Sequence, residues 1–163
     1  MVRVALAGNI GSGKSTVAKE LSTEGFFLLN YTELIKEEVA KAMVSVGVFT
    51  TIEDALEQIK LKKEFYRPLL VAWADTCGWS DGKQLENFLK EMQEKAVVLD
   101  NLRYLAQADI VKRHGFLVFK LEGGNRMDIP ELINFHFDAT IPWMESLEKR
   151  MKYVMHLLPT LQK

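Results

Sequence analysis

The sequence predicts an α/β fold in three layers: a mostly parallel sheet of about five strands with helices on both faces. Three observations predict it. Short apolar runs of β type recur along the chain, segments with helical apolar spacing lie between them, and the first run ends in a glycine-rich loop that opens a helix. Strands that read as unbroken apolar runs are buried on both faces, and parallel neighbours need right-handed crossovers, which helices supply. With 163 residues, 48% of them apolar, the chain can bury a core of its own. No internal repeat or proline-rich linker divides it, so residues 1–163 read as one domain.

The elements follow in order. Val2 to Ala7 is the first strand, and Val17 and Leu21 share a face of the helix after it. Gly25 ends that helix, and Phe26 to Leu29 is the second strand. From Thr32 to about Glu94 the pattern is helical, carried by Ile35, Val39, Ala42 and Val46, then Ile52, Leu56 and Ile59, then Phe65, Leu69 and Ala72, then Leu85, Phe88, Leu89 and Met92. This long insertion is followed by a strand at Ala96 to Leu99, a helix built on Leu105, Ile110 and Val111, and a strand at Phe116 to Leu121. Phe137 to Ile141 is a candidate fifth strand, and Trp143 to Leu158 a final helix with Leu147, Met151, Val154 and Leu158 along one stripe.

Charge narrows the partners. Twenty-one Lys and Arg against 22 Asp and Glu give a net charge of -1, with no bulk field to draw the chain onto nucleic acid or an anionic membrane. The longest apolar run, Leu69 to Ala74, is far too short to span a bilayer, and the N-terminal run is too short for a signal peptide, so a cytoplasmic protein is expected. Cys77 is the only cysteine, which excludes an internal disulfide; a buried thiol is expected.

The chemistry is concentrated at Gly8-Asn9-Ile10-Gly11-Ser12-Gly13-Lys14-Ser15, which fits G-x-x-x-x-G-K-[ST] in full, with a strand before it and a helix after it. In such a loop, the Walker A motif of P-loop NTPases, main-chain N–H groups turn inward around phosphate oxygens and the helix adds the positive end of its dipole. Lys14 supplies a cation for the β- and γ-phosphates, and the Ser15 hydroxyl a ligand for Mg²⁺. A bound nucleoside triphosphate with Mg²⁺ follows. A guanine-reading N/T-K-x-D is absent, and Asp75-Thr76-Cys77-Gly78, though formally D-x-x-G, follows a helical stretch. This argues against a GTPase.

Over nearly its full length the chain resembles the phage-type deoxynucleoside monophosphate kinases, relatives of the adenylate and guanylate kinases. The resemblance rests on Gly8 to Thr16 (GNIGSGKST), on Lys63 to Leu70 (KEFYRPLL) beside the family's R-x-L-L helix, on Val97 to Tyr104 (VVLDNLRY) beside its V-V-x-D-V-R-F strand end, and on Phe116 to Leu121 after a helix ending in Gly115. Phe137 to Pro142 is similar to the family's last short strand, with Pro142-Trp143 where an asparagine is usual. The resemblance implies transfer of the ATP γ-phosphoryl group to the phosphate of a (deoxy)nucleoside monophosphate. Two small-molecule substrates are then the partners, and an assembly of two copies is compatible with it.

Site roles follow from that resemblance. The loop residues Gly8, Asn9, Ile10, Gly11, Ser12, Gly13, Lys14, Ser15 and Thr16 would hold ATP, and Lys14, Arg67, Arg103 and Arg126 would carry the charge stabilisation that in-line transfer between polyanions demands. Arg67 would grip the acceptor phosphate and Arg103, just beyond the third strand, would face both phosphates. Acceptor binding is assigned to the helical insertion at about 32–94. Asn30 lies at a strand end there, and Tyr31, Tyr66, Trp73 and Trp79 are aromatic candidates for stacking. Ser15 and Asp100 are the metal candidates. If Arg103 is aligned with the family's arginine, however, the acidic position falls on Asn101 and Asp100 lies one residue early, so either could face the metal.

The polar loop at about 122–130, with Gly123, Gly124 and Arg126, occupies the place of a lid that excludes water. His114, His136 and His156 have no metal-binding spacing. Two alternatives remain. One is another kinase of this kind, a deoxynucleoside or dephospho-coenzyme A kinase, whose hydroxyl acceptor needs a base such as Glu33. The other is a non-catalytic ATP-binding module.

Overall fold

A computed structural model describes residues 1–124, 132 and 134–161. The described elements are β1 (Arg3–Gly8), α1 (Lys14–Thr23), β2 (Phe27–Leu29), α2 (Tyr31–Ser45), α3 (Ile52–Leu61), α4 (Lys63–Thr76), α5 (Lys83–Glu91), β3 (Val97–Leu99), α6 (Leu105–Arg113), β4 (Leu117–Leu121), β5 (Ala139–Ile141) and α7 (Leu147–Leu161). The five strands form one sheet in the order β2-β3-β1-β4-β5, with every neighbouring pair parallel. The fold is thus α/β, of the kind found in P-loop NTPases.

Strand alternation sorts the core into two layers. Ala5 and Ala7 of β1, Val97 and Leu99 of β3 and Val118 of β4 face one side, where Ile35 and Val39 of α2, Ile59 of α3, Leu85 and Leu89 of α5 and Val111 of α6 cover them. Val4, Leu6, Val98, Phe119 and Leu121 face the other side, covered by Val17 and Leu21 of α1 and by Val154 and Leu158 of α7. Because all strands run the same way, their carboxyl ends meet at one edge. That edge collects Gly8, Asn30, Asp100, Glu122 and Pro142, each the last residue of its strand or the residue directly after it.

The helical stretch between β2 and β3 is four helices. Caps mark two of the starts: the Asn30 side chain accepts from Glu33 N at 3.2 Å, and Thr51 accepts from Asp54 N at 3.1 Å, each with acidic residues in the first turn to favour the dipole. In α4 the packed side differs from the stripe expected at Phe65, Leu69 and Ala72. Tyr66, Leu70, Trp73, Ala74 and Cys77 pack on the core, whereas Phe65 is 76% exposed and Leu69 also faces out. Residues 69–74 are all apolar, so two adjacent stripes compete, and one polar contact distinguishes them. Trp73 Nε1 donates to Glu38 of α2 at 2.8 Å, which turns the Trp73 side inward. The Cys77 side chain is only half-buried.

At the other end of the chain, β5 begins at Ala139 and α7 at Leu147, later than periodicity placed them. Trp143 therefore belongs to the connecting loop, 61% exposed. Among the described residues no helix is long and apolar enough to cross a membrane.

Candidate active site

The glycine-rich loop joins β1, the central strand, to α1. Gly11 and Gly13 take left-handed φ values of 80° and 86°, which a residue with a Cβ adopts only under strain, and Ser12 N closes a turn on Asn9 O at 3.1 Å. Lys14, in the first turn of α1, donates from Nζ to Gly8 O at 2.7 Å and Asn9 O at 2.8 Å, so the loop carbonyls hold the ammonium across its mouth. Ser15 and Thr16 are exposed at the same helix start, as is Ile10 in the loop, while Ser12 is buried.

β3 brings the acid. Asp100 is 3% exposed; its Oδ2 accepts from Asn30 Nδ2 at 3.1 Å, and its Oδ1 has no hydrogen-bond partner among the described residues. Burial raises its pKa from 3.8 to about 6, against the lowering effect of its own main-chain N–H and of the nearby Lys14 and Arg103 charges; Glu33 adds to the rise. Asn101, the next residue, has other partners. Its Nδ2 donates to Thr32 Oγ1 at 3.2 Å and its Oδ1 accepts from Arg103 Nε at 3.1 Å. Both residues thus bond at the start of α2, Asp100 to the N-cap Asn30 and Asn101 to Thr32, and it is Asp100 that is buried and feels the Lys14 charge.

The donors suit a sparsely ligated Mg²⁺. Among the described residues no cluster of three or more His, Cys, Asp or Glu could hold a metal ion. One buried carboxylate oxygen with no partner, one exposed serine hydroxyl and the oxygens of a triphosphate are nevertheless the kind of set that Mg²⁺ accepts while keeping its waters.

The remaining candidates divide between core and surface. Tyr31 is buried and stacks on Trp79, with ring centroids 6.2 Å apart and planes 16° off parallel; burial pushes its phenol pKa up. Trp73 and Trp79 both donate their indole N–H to Glu38 Oε2, at 2.8 and 3.0 Å. Tyr66 packs against the core with its ring edge-on to Phe65. Arg67 is half-exposed on α4, with Nε and Nη2 on the Glu64 carboxylate at 3.0 and 2.8 Å. The charges acting most strongly on Asp100 are those of Lys14, Glu33 and Arg103, so the structure brings Lys14, Asp100 and Arg103 together and leaves Arg67 on the insertion. Arg126 lies outside the described residues, as does most of the 122–130 loop.

Sequence reasoning missed one residue at this edge. Arg150 of α7 is 4% exposed and donates from Nη1 to Ser12 O at 2.5 Å and from Nη2 to Glu122 O at 2.8 Å. Residues 138 positions apart meet here, and no local pattern announces it. Gly124 also crosses the loop so closely that a Cβ on it would lie 2.2 Å from Ile10 O, and its left-handed φ of 83° is open to glycine alone without strain.

Comparison with known proteins finds partial likeness. No protein-family profile matches the chain. Two dephospho-CoA kinases of Corynebacterium glutamicum are each 49% identical to it, over 39 residues (24% of this chain) and 47 residues (29%). The chain spans about a fifth of the length of these curated relatives, whose matched shares are 20% and 21%. Over those segments it is similar to kinases that act on a small molecule.

Proposed function

We propose that the protein is a small-molecule kinase that transfers the γ-phosphoryl group of ATP, with Mg²⁺, to the phosphate of a (deoxy)nucleoside monophosphate. One observation carries this reading: a complete phosphate loop with Lys14, a buried Asp100 and Arg103 converge at the carboxyl edge of a single parallel sheet. Open parallel sheets bind ligands at that edge, where strand order reverses.

In this reading the loop N–H groups hold the β- and γ-phosphates, and Lys14 exchanges its contacts with Gly8 O and Asn9 O for phosphate oxygens. Ser15 and Asp100 hold the metal, which supplies neutralisation of charge on the transferred group. Arg103, its Nε donating to Asn101, would supply positive charge on the acceptor side, where a guanidinium can grip phosphate. Arg67 and the aromatic residues of α2 and α4 belong to the acceptor side, and Arg126 to closure.

A second reading has its own support. The partial matches are to dephospho-CoA kinases, and a hydroxyl acceptor must lose a proton to a base. In that reading Glu33, at the start of α2 with its carboxylate paired to Lys36 at 2.5 Å, would be the base. A coupled ADP-release assay with MgATP and a panel of monophosphates, nucleosides and dephospho-CoA separates the readings. Acceleration by at least one monophosphate, kept in Glu33→Gln, supports the first. Acceleration by a nucleoside or dephospho-CoA alone, lost in Glu33→Gln, replaces it with the second. No acceptor-dependent release at all would reduce the protein to a nucleotide-binding module.

A further inference from the structure

We propose that Arg150 is a positioning residue for the phosphate loop, a buried fork from the last helix that fixes the Ser12-Gly13 peptide so that its N–H faces a bound polyphosphate. The proposal rests on reading Gly8 to Ser15 as a triphosphate cradle. A trans peptide is planar and its C=O and N–H point in opposite directions, so whatever holds the Ser12 carbonyl also aims the Gly13 N–H. Glycine on both sides of Ser12 leaves these peptides free to rotate, and both glycines take left-handed φ. Within the loop Asn9 O holds Ser12 N, whereas the Ser12 carbonyl takes its bond from outside.

Arg150 supplies it from three sides. Nη1 takes Ser12 O at 2.5 Å, while Nη2 takes Glu122 O at 2.8 Å and reaches Ile141 O at 3.5 Å. One planar group thus ties the loop to the carboxyl ends of β4 and β5, and its rigid fork fixes the spacing between them. Its Cζ lies 5.5 Å from the centroid of the Trp143 ring, which in turn covers Gly123 so closely that a Cβ there would fall 2.4 Å from the ring. A Cβ on Gly13 would meet Nη1 at 3.2 Å, so the guanidinium also fills the space behind the loop.

The group is held at a cost, which argues for a task beyond packing. All its hydrogen bonds go to main-chain carbonyls, and Nε is buried with no partner among the described residues. Burial lowers its pKa, opposed by the charge of Glu122, yet an arginine stays protonated in proteins. Among the described residues no carboxylate bonds to this cation, Glu122 acts on it only by its charge, and a triphosphate on the loop would add to that counter-charge.

Calorimetric titration of the wild type, Arg150→Lys and Arg150→Met with MgATP and with sodium tripolyphosphate tests this. The fork argument predicts at least about fivefold weaker binding of both ligands in Arg150→Lys, which keeps the charge and loses the bidentate span, and about tenfold or more in Arg150→Met. The stoichiometry of the folded fraction is expected to stay at one. An equal loss for ATP and tripolyphosphate locates the effect at the phosphates. If the Met variant does not fold, the Lys variant carries the test. Lys-variant binding within about twofold of wild type, or a reduced stoichiometry at unchanged Kd, overturns the proposal and leaves a purely structural arginine. Wild-type protein that binds neither ligand overturns the triphosphate reading itself.

Discussion

The two sides of the cleft are built differently. On the phosphate-loop side, contacts converge on main-chain atoms with little spare volume: added Cβ atoms on Gly8 and Gly124 would lie 2.6 Å from Leu121 O and 2.2 Å from Ile10 O, and Lys14 and Arg150 bond to carbonyls. On the insertion side, contacts run between side chains, through Glu38 to two indoles and through Asn101 to Thr32 and Arg103, and α4 leaves Phe65 and Leu69 exposed. A triphosphate is the same for every donor nucleotide, so a rigid main-chain mould serves it. An acceptor differs from one kinase to the next, and on the proposed reading exchangeable side chains would serve that side.

Three measurements test whether the two sides are separable. The largest effect is expected from Lys14→Ala, which removes the cation at the loop mouth and should lower turnover by about 10²- to 10³-fold. Its thermal unfolding should stay close to wild type, because the loop carbonyls it leaves can turn to water. A loss of fold in place of a loss of rate would mean that the lysine is a strut.

Asp100→Asn is expected to separate activity from stability. Burial holds this carboxyl at about 6 in the native chain against 3.8 for an ordinary aspartate, so between those values the native state binds a proton that the unfolded state has lost. Stability therefore falls as pH rises through that window, and the cost, on the order of 3 kcal/mol, is complete above it. The variant should lose turnover yet melt higher than wild type at pH 8 with divalent ions chelated, with little difference near pH 4. A variant that melts lower than wild type at pH 8 would contradict this sign.

The smallest effect belongs to the insertion. Glu38→Ala strands the N–H groups of Trp73 and Trp79 and should cost about 1 to 3 kcal/mol in urea unfolding. ATP affinity should be unchanged, and acceptor KM should rise. Weaker ATP binding in this variant would show that the two sides are coupled.

How much of this was legible in the sequence depended on distance along the chain. Gly8 to Ser15 is local: its strand, turn glycines and helix start stand within a dozen residues. Asp100 was legible as a polar residue ending an apolar run, although only its burial near the Lys14 charge distinguishes it from Asn101. Arg150 was hidden because α7 was read from its apolar stripe, on which an arginine counts as surface. The packed side of α4 was misplaced because apolar residues surround that helix and the partner that orients it, Glu38, lies on another helix.

The strands that flank the insertion carry a last consequence. Phe27, Leu28 and Leu29 lie beside Val97, Val98 and Leu99 in parallel, so the chain leaves the sheet at its carboxyl edge and returns on the neighbouring strand at its amino edge. The helices between these strands are more than a connection, because Ile35 and Val39 of α2, Ile59 of α3 and Leu85 and Leu89 of α5 cover one face of the sheet. A lineage can therefore vary the outward faces of the insertion, where Phe65 and Leu69 lie exposed, while the positions that cover β1 must stay apolar. On the proposed kinase reading, substrate choice would then change on those outer faces without disturbing the phosphate loop.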